Sequence, residues 1–116
     1  MFVKRFADAK PYESPNHRDV RSLRLQGFDP ASSKGFWVGF SHYLPGGGAG
    51  PDATPFERVY VILAGELTII IDGKETVLTP LDSCTIPAGE VREVVNRGNP
   101  VCSILAILPY PPGAKP

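Results

Sequence analysis

Hydrophobic and polar positions along the chain alternate in short bursts and never hold a helical period. Runs rich in β-branched, aliphatic and aromatic residues fall at 20–26, 35–44, 58–63, 66–71, 76–78, 84–86, 91–95 and 101–108. Thirteen prolines and twelve glycines break up the rest, so no dozen-residue window keeps an apolar stripe at helical spacing. Many short strands divided by turn residues predict an all-β sandwich or barrel. Ile71-Asp72-Gly73-Lys74 predicts a tight hairpin, because Asp-Gly accepts the positive φ angles of a type I′ turn. Ala64-Gly65 predicts the corner before it, and the middle of the chain reads as an antiparallel meander that closes to hide its edges. The glycine-rich segment 45–51 reads as a flexible connector. One domain accounts for the chain: a core barrel over 20–109, an N-terminal arm over 1–19, and a proline-rich tail over 110–116 that trails away.

Composition removes several function classes. Twelve acidic and twelve basic side chains cancel, which leaves no electrostatic footprint for nucleic acid or an anionic membrane. The first dozen residues lack the apolar run of a signal peptide, and no stretch reaches the roughly 20 apolar residues of a membrane span, so a cytoplasmic location is expected. Cys84 and Cys102 lie in apolar runs and read as reduced core residues. A net charge of zero does little to hold copies apart, so a homodimer is expected.

Residues 46–96 resemble the two motifs of the cupin family. The first runs Gly, five residues, His-x-His, three or four residues, Glu, six residues, Gly; here it is Gly46, Asp52-Ala53-Thr54, Arg58 and Gly65 at the same spacing. The second runs Gly, five residues, Pro-x-Gly, two residues, His, three residues, Asn; here it is Leu81, Pro87-Ala88-Gly89, Arg92 and Asn96. The resemblance implies a cupin-type double-stranded β-helix, or jelly roll, and homodimers are common in the family. It also implies that Asp52, Thr54, Arg58 and Arg92 occupy the positions that normally bind one divalent metal. A guanidinium is a permanent cation without a lone pair to donate, so no metal and no other cofactor is expected. A slipped alignment would be needed to bring Glu57, His42 or His17 in as ligands.

In the family, the side chains at the positions of Arg58 and Arg92 point into the barrel. Counting by two places Tyr60 and Ile62 on the face of Arg58, and Val94 and Asn96 on the face of Arg92. Two arginines with Tyr60, Asp52 and Thr54 suit a small anionic ligand, above all a carboxylate, whose oxygens match the guanidinium fork. Tyr60 or His42 is then the candidate proton carrier, in a metal-independent lyase, dehydratase or isomerase. The competing expectation is a non-catalytic sensing or structural barrel in which Asp52, Glu57, Arg58 and Arg92 pair with one another. His17 reads as a loop histidine or part of a lid, Trp37 as core or dimer interface, and Asn96 as a structural hydrogen-bonding residue. Neither the substrate nor the occurrence of turnover follows from these residues.

Overall fold

The structure is a computed structural model, and it describes residues 1–113. After a 3-10 turn at Phe6–Asp8 come nine strands: β1 Lys10–Tyr12, β2 His17–Gln26, β3 Trp37–Asp52, β4 Arg58–Ala64, β5 Leu67–Ile71, β6 Lys74–Leu78, β7 Ser83–Ile86, β8 Arg92–Val95 and β9 Cys102–Leu108. They pair in the order β6-β5-β8-β3-β9-β4-β7, with β2 joining β3 and β1 joining β2. The all-β jelly roll expected from the sequence is present.

The route of the chain differs from a meander. Only β5 and β6 form the predicted hairpin, with Ile71 opposite Lys74 around Asp72 and Gly73, both at positive φ. Gly65, also at positive φ, sends the chain from β4, which pairs with β7 and β9, to β5, which pairs with β6 and β8. From β3 onward, apart from the β5–β6 hairpin, consecutive strands pair with other partners and not with each other, as a jelly roll requires.

The glycine-rich segment is no loose connector. Strand β3 runs through it, pairing with β9 over Trp37–Tyr43 and with β8 over Gly48–Asp52. Glycine is needed there because the backbones approach too closely for a side chain. A Cβ at Gly48 would overlap the carbonyl oxygen of Val94, and one at Gly47 would overlap that of Asp19. We expect Gly48→Ala to cost about 1–3 kcal/mol, since the obstruction is backbone and cannot turn aside. Gly35 has nothing within 4 Å of its would-be Cβ, so Gly35→Ala should leave stability unchanged. Denaturant midpoints of the two variants check the contrast.

Tyr12 of the N-terminal arm and Tyr110 at the start of the tail are docked on the barrel. Tyr12 pairs with Ser22 through β1, and a Cβ at Gly39 would overlap the Tyr12 phenol oxygen. Tyr110, placed by the sequence at the start of the tail, accepts a hydrogen bond from the Phe28 N–H at 3.1 Å and donates one to the Ser33 carbonyl at 2.6 Å. Residues 114–116 of the expected tail lie outside the described residues.

Inward positions divide the barrel into a dry end and a polar end. Ile62, Leu67, Val94 and Cys102 fill the dry end, each 0% exposed. The parity expected on β4 and β8 holds, for Arg58, Tyr60 and Ile62 are buried, as are Arg92, Val94 and Asn96. Both arginines, Arg58 from β4 and Arg92 from β8, reach the polar end, where they line one cavity.

Candidate functional site

At the polar end lies a cavity of about 150 Å³. Strand β4 supplies Arg58 and Tyr60, and β8 supplies Arg92. Strand β3 supplies Trp37, Ser41, Tyr43 and Asp52, and β2 supplies His17 and Ser22. Tyr12, Thr54 and Phe56 complete the polar and aromatic wall, while Ile104, Ala106 and Leu108 of β9 make the apolar one. Small-molecule pockets generally combine apolar walls with a few converging polar groups.

The electrostatics are set by two buried cations. Arg58 and Arg92 are each 4% exposed, and no carboxylate among the described residues lies within 4.0 Å of either. Arg92 Nε donates to the Tyr60 hydroxyl oxygen at 3.2 Å, which leaves the phenol proton free to point elsewhere. Arg92 Nη1 and Arg58 Nε and Nη2 are buried without hydrogen-bond partners. Burial lowers the pKa of Arg58 from its ordinary value, Tyr60 opposes that shift, and the like charge of Arg92 adds to it. The group stays a cation at any physiological pH.

The internal ion network is not formed. Asp52 spends Oδ1 on the N–H of Ala53 at 2.8 Å, and Glu57 is exposed on a separate surface groove with Phe36 and Val59. Thr54 lines the cavity but donates its hydroxyl to the Phe56 carbonyl at 2.7 Å, which fixes the loop before β4.

The structure separates the two histidines in the opposite sense to expectation. His42 follows Ser41 on β3, so its side chain takes the other face. It stacks edge-on with Phe40 at 4.6 Å and lines an outer groove with Phe6, Val20 and Leu23, away from the cavity. Its expected role in handling protons inside the barrel therefore has no support from its placement. His17, expected in a loop or as part of a lid, opens β2 and lines the cavity. Its Nδ1 lies 2.8 Å from the Pro15 carbonyl oxygen. Burial is the largest influence and lowers the His17 pKa below the usual histidine value, with the charges of Arg92 and Arg58 pushing the same way against Asp52 and the Pro15 hydrogen bond.

Tyr12, Ser22, Ser41 and Tyr43 were not foreseen as site residues. Ser22 and Ser41 share a hydrogen bond of 2.8 Å across β2 and β3. Burial raises the Tyr43 phenol above its ordinary range and does the same for Tyr12, so both remain neutral hydroxyls. Trp37, read as core or interface, lines the cavity while contacting Tyr12 and Phe28 edge to face.

The family described as Cupin domain, Cupin_2, matches residues 39–108, more than half of the chain. This chain is a cupin. Beta-D-galactosidase Rv1717 of Mycobacterium tuberculosis is 42% identical to it over 111 residues, which cover 96% of each protein. Among solved structures, the polyketide cyclase RemF of Streptomyces resistomycificus superposes with a TM-score of 0.84 at 19% identity, over 99% of this cupin and 84% of its own chain. A predicted oxalate decarboxylase of Thermotoga maritima superposes with a TM-score of 0.77 at 25% identity, over 96% of this cupin and 100% of the other chain.

A divalent metal at the family's ligand positions does not fit the side chains of this cupin. Two of the four are buried guanidinium groups, which repel a cation and offer it no lone pair. Among the described residues, no cluster of three or more histidine, cysteine, aspartate or glutamate side chains stands ready to hold an ion. A single carboxylate and a hydroxyl do not make the three- or four-ligand set of a transition-metal centre.

Proposed function

We propose that this cupin is a metal-independent barrel that binds a small hydroxylated carboxylate and acts on it as a lyase, dehydratase or isomerase. The observation that carries the reading is the set of three buried guanidinium nitrogens on Arg58 and Arg92 that have no partner within the protein. Unpaired buried donors are costly, and a carboxylate satisfies them with paired, charge-assisted hydrogen bonds. A cavity of about 150 Å³ lies below the roughly 300–1,000 Å³ of sites for drug-sized molecules, which points to a small metabolite and not a polymer. The hydroxyls of Ser22, Ser41, Tyr12 and Tyr43 offer contacts to ligand hydroxyls, and Trp37 and Phe56 offer flat apolar faces.

Two relatives bear on the class of substrate, one through a sugar and one through an acid. The Mycobacterium tuberculosis protein carries a galactosidase name, and the Thermotoga maritima neighbour is described for a dicarboxylate, oxalate. Hydrolysis of a glycoside usually takes two carboxyl groups flanking the scissile bond. Asp52 is the one carboxylate among the cavity-lining residues, so the reading here is a sugar-derived acid and not a glycoside. Thermal-shift measurements with malonate, D-galactonate, zinc and manganese test it. Malonate or D-galactonate should raise the melting temperature, by an amount equivalent to about 4 kcal/mol at a 1,000-fold excess over Kd, and Arg58→Ala and Arg92→Ala should each remove the effect. Stabilisation by zinc or manganese alone, or rapid hydrolysis of a nitrophenyl galactoside, would overturn the reading.

A further inference from the structure

We infer that His17 is the general base of this cavity, and that the substrates are carboxylates bearing a hydrogen on the carbon next to the carboxylate. The inference rests on the arginine clamp proposed above and deepens it by naming the bond that is broken.

Geometry carries the assignment. A carbonyl oxygen only accepts hydrogen bonds, so the 2.8 Å contact to Pro15 places a proton on His17 Nδ1. In the neutral ring the other nitrogen, Nε2, then holds a free lone pair. Among the described residues no carboxylate lies within 4.0 Å of the imidazole to hold it as a cation. The turn that presents the ring is pinned on both sides: the Gly50 N–H donates to the Asn16 carbonyl at 2.9 Å, and Asn16 Nδ2 donates to the Pro51 carbonyl at 3.1 Å. The charged and titratable groups around the imidazole are Arg58 and Tyr60 from β4, Arg92 from β8, Asp52 and Tyr43 from β3, and Tyr12 and Glu13 from the arm. With burial and two arginines opposing protonation, the ring is neutral at pH 7.

The step balances without a cofactor. Arg58 and Arg92 hold the two carboxylate oxygens. His17 Nε2 takes the α-hydrogen as a proton, and the C–H electron pair moves into a double bond to the carboxylate carbon, placing added negative charge on the clamped oxygens. Electrostatic stabilisation of developing charge by fixed cations is the usual source of such rate gains. Where the β-carbon bears a hydroxyl, the pair returns to form an α,β double bond. The C–O bond breaks, and the oxygen leaves as water with the Tyr60 hydroxyl proton. The proton on His17 then returns to the phenolate through solvent, so one water is lost and no electrons are gained.

Malonate is the probe, because it has two α-hydrogens and no leaving group, so the reaction stops at reversible proton removal. In D2O the wild-type protein should exchange the malonate CH2 hydrogens about 100-fold or more faster than buffer, within the usual range of general-base catalysis. The exchange rate should be level from pH 7 to 8 and fall in acid as the imidazole protonates. His17→Gln should reduce exchange to the buffer rate while binding malonate within about 3-fold of wild type, since the clamp supplies the affinity. His42→Gln, altered in the outer groove, should exchange as wild type does. Binding without exchange, or full exchange by His17→Gln, overturns the assignment of His17 and leaves the clamp standing. Failure of wild type to bind malonate at saturating millimolar concentration overturns the clamp and this inference together.

Discussion

Arg58→Met is expected to make the barrel more stable and at the same time unable to bind malonate. Arg58 is 4% exposed, a second arginine in the cavity opposes its charge, and two of its nitrogens lack partners. Taking such an ion out of water costs several kcal/mol after relaxation, and among the described residues no carboxylate within 4.0 Å repays it. Methionine keeps the unbranched reach of the side chain, fills irregular space and has no polar group to satisfy. Replacing buried charge by apolar residues of similar volume commonly stabilises by about 1–4 kcal/mol. For a domain of this size that is a rise of roughly 4 °C in melting temperature per kcal/mol. The same change removes charge-assisted hydrogen bonds worth about 1.5–3 kcal/mol each, so malonate binding should weaken by more than ~100-fold. Calorimetric melting with and without malonate reads both effects. A less stable Arg58→Met protein would mean that the guanidinium is already satisfied internally, and the anion site would lose its main support.

Alternation explains why so much of this cavity was legible in the chain. A period of two joins Arg58 to Tyr60 and Ile62 on β4, and Arg92 to Val94 on β8 and Asn96 just after it, and all six are buried. On β3 the same rule gave no decision about His42, because both faces carry large apolar residues: Trp37 and Tyr43 inside, Val38 and Phe40 outside. The run Gly46-Gly47-Gly48-Ala49-Gly50 hid a strand, since glycine has no side chain to declare a face and its role there is to let β2 and β8 come close. Tyr12 and His17 reach the cavity through long-range pairing with β2 and β3, which no local pattern announces. The one hint was Gly39, a glycine inside a strong strand, which marks a close approach whose partner, the Tyr12 phenol, only the structure names.

Asn96→Asp is expected to unfold the protein at pH 7 and to let it refold in acid. Asn96 is fully buried and uses every polar group of its side chain. Nδ2 donates to the carbonyls of Tyr43 and Pro100, each at 2.9 Å, and Oδ1 accepts the Gly98 N–H at 2.9 Å. An ionised aspartate would set a negative oxygen against two carbonyl oxygens, so the folded state must hold the side chain protonated. Keeping that proton at pH 7, about 3 units above an ordinary aspartate pKa, costs about 4 kcal/mol. The protonated acid has one hydrogen for two carbonyls, and the unpaired one adds about 1–3 kcal/mol. The sum, about 5–7 kcal/mol, matches the whole stability of many domains. Because the folded pKa is raised, the folded state binds more protons. Stability is therefore retained below about pH 4 and lost as pH rises toward the folded pKa. Asn96→Ala, which leaves two carbonyls and the Gly98 N–H without this partner and adds no charge, should lose about 3 kcal/mol or more with no such pH dependence. Circular-dichroism melts of both variants at pH 4 and pH 7 separate the two mechanisms, and an Asn96→Asp protein as stable as wild type at pH 7 would refute this account of the residue. Asn96 pins the far end of the strand that begins at Arg92, so here binding and stability fall together, whereas at Arg58 one rises as the other is lost. That opposition follows from how each group is partnered: Asn96 has every partner inside the protein, and two nitrogens of Arg58 have none there.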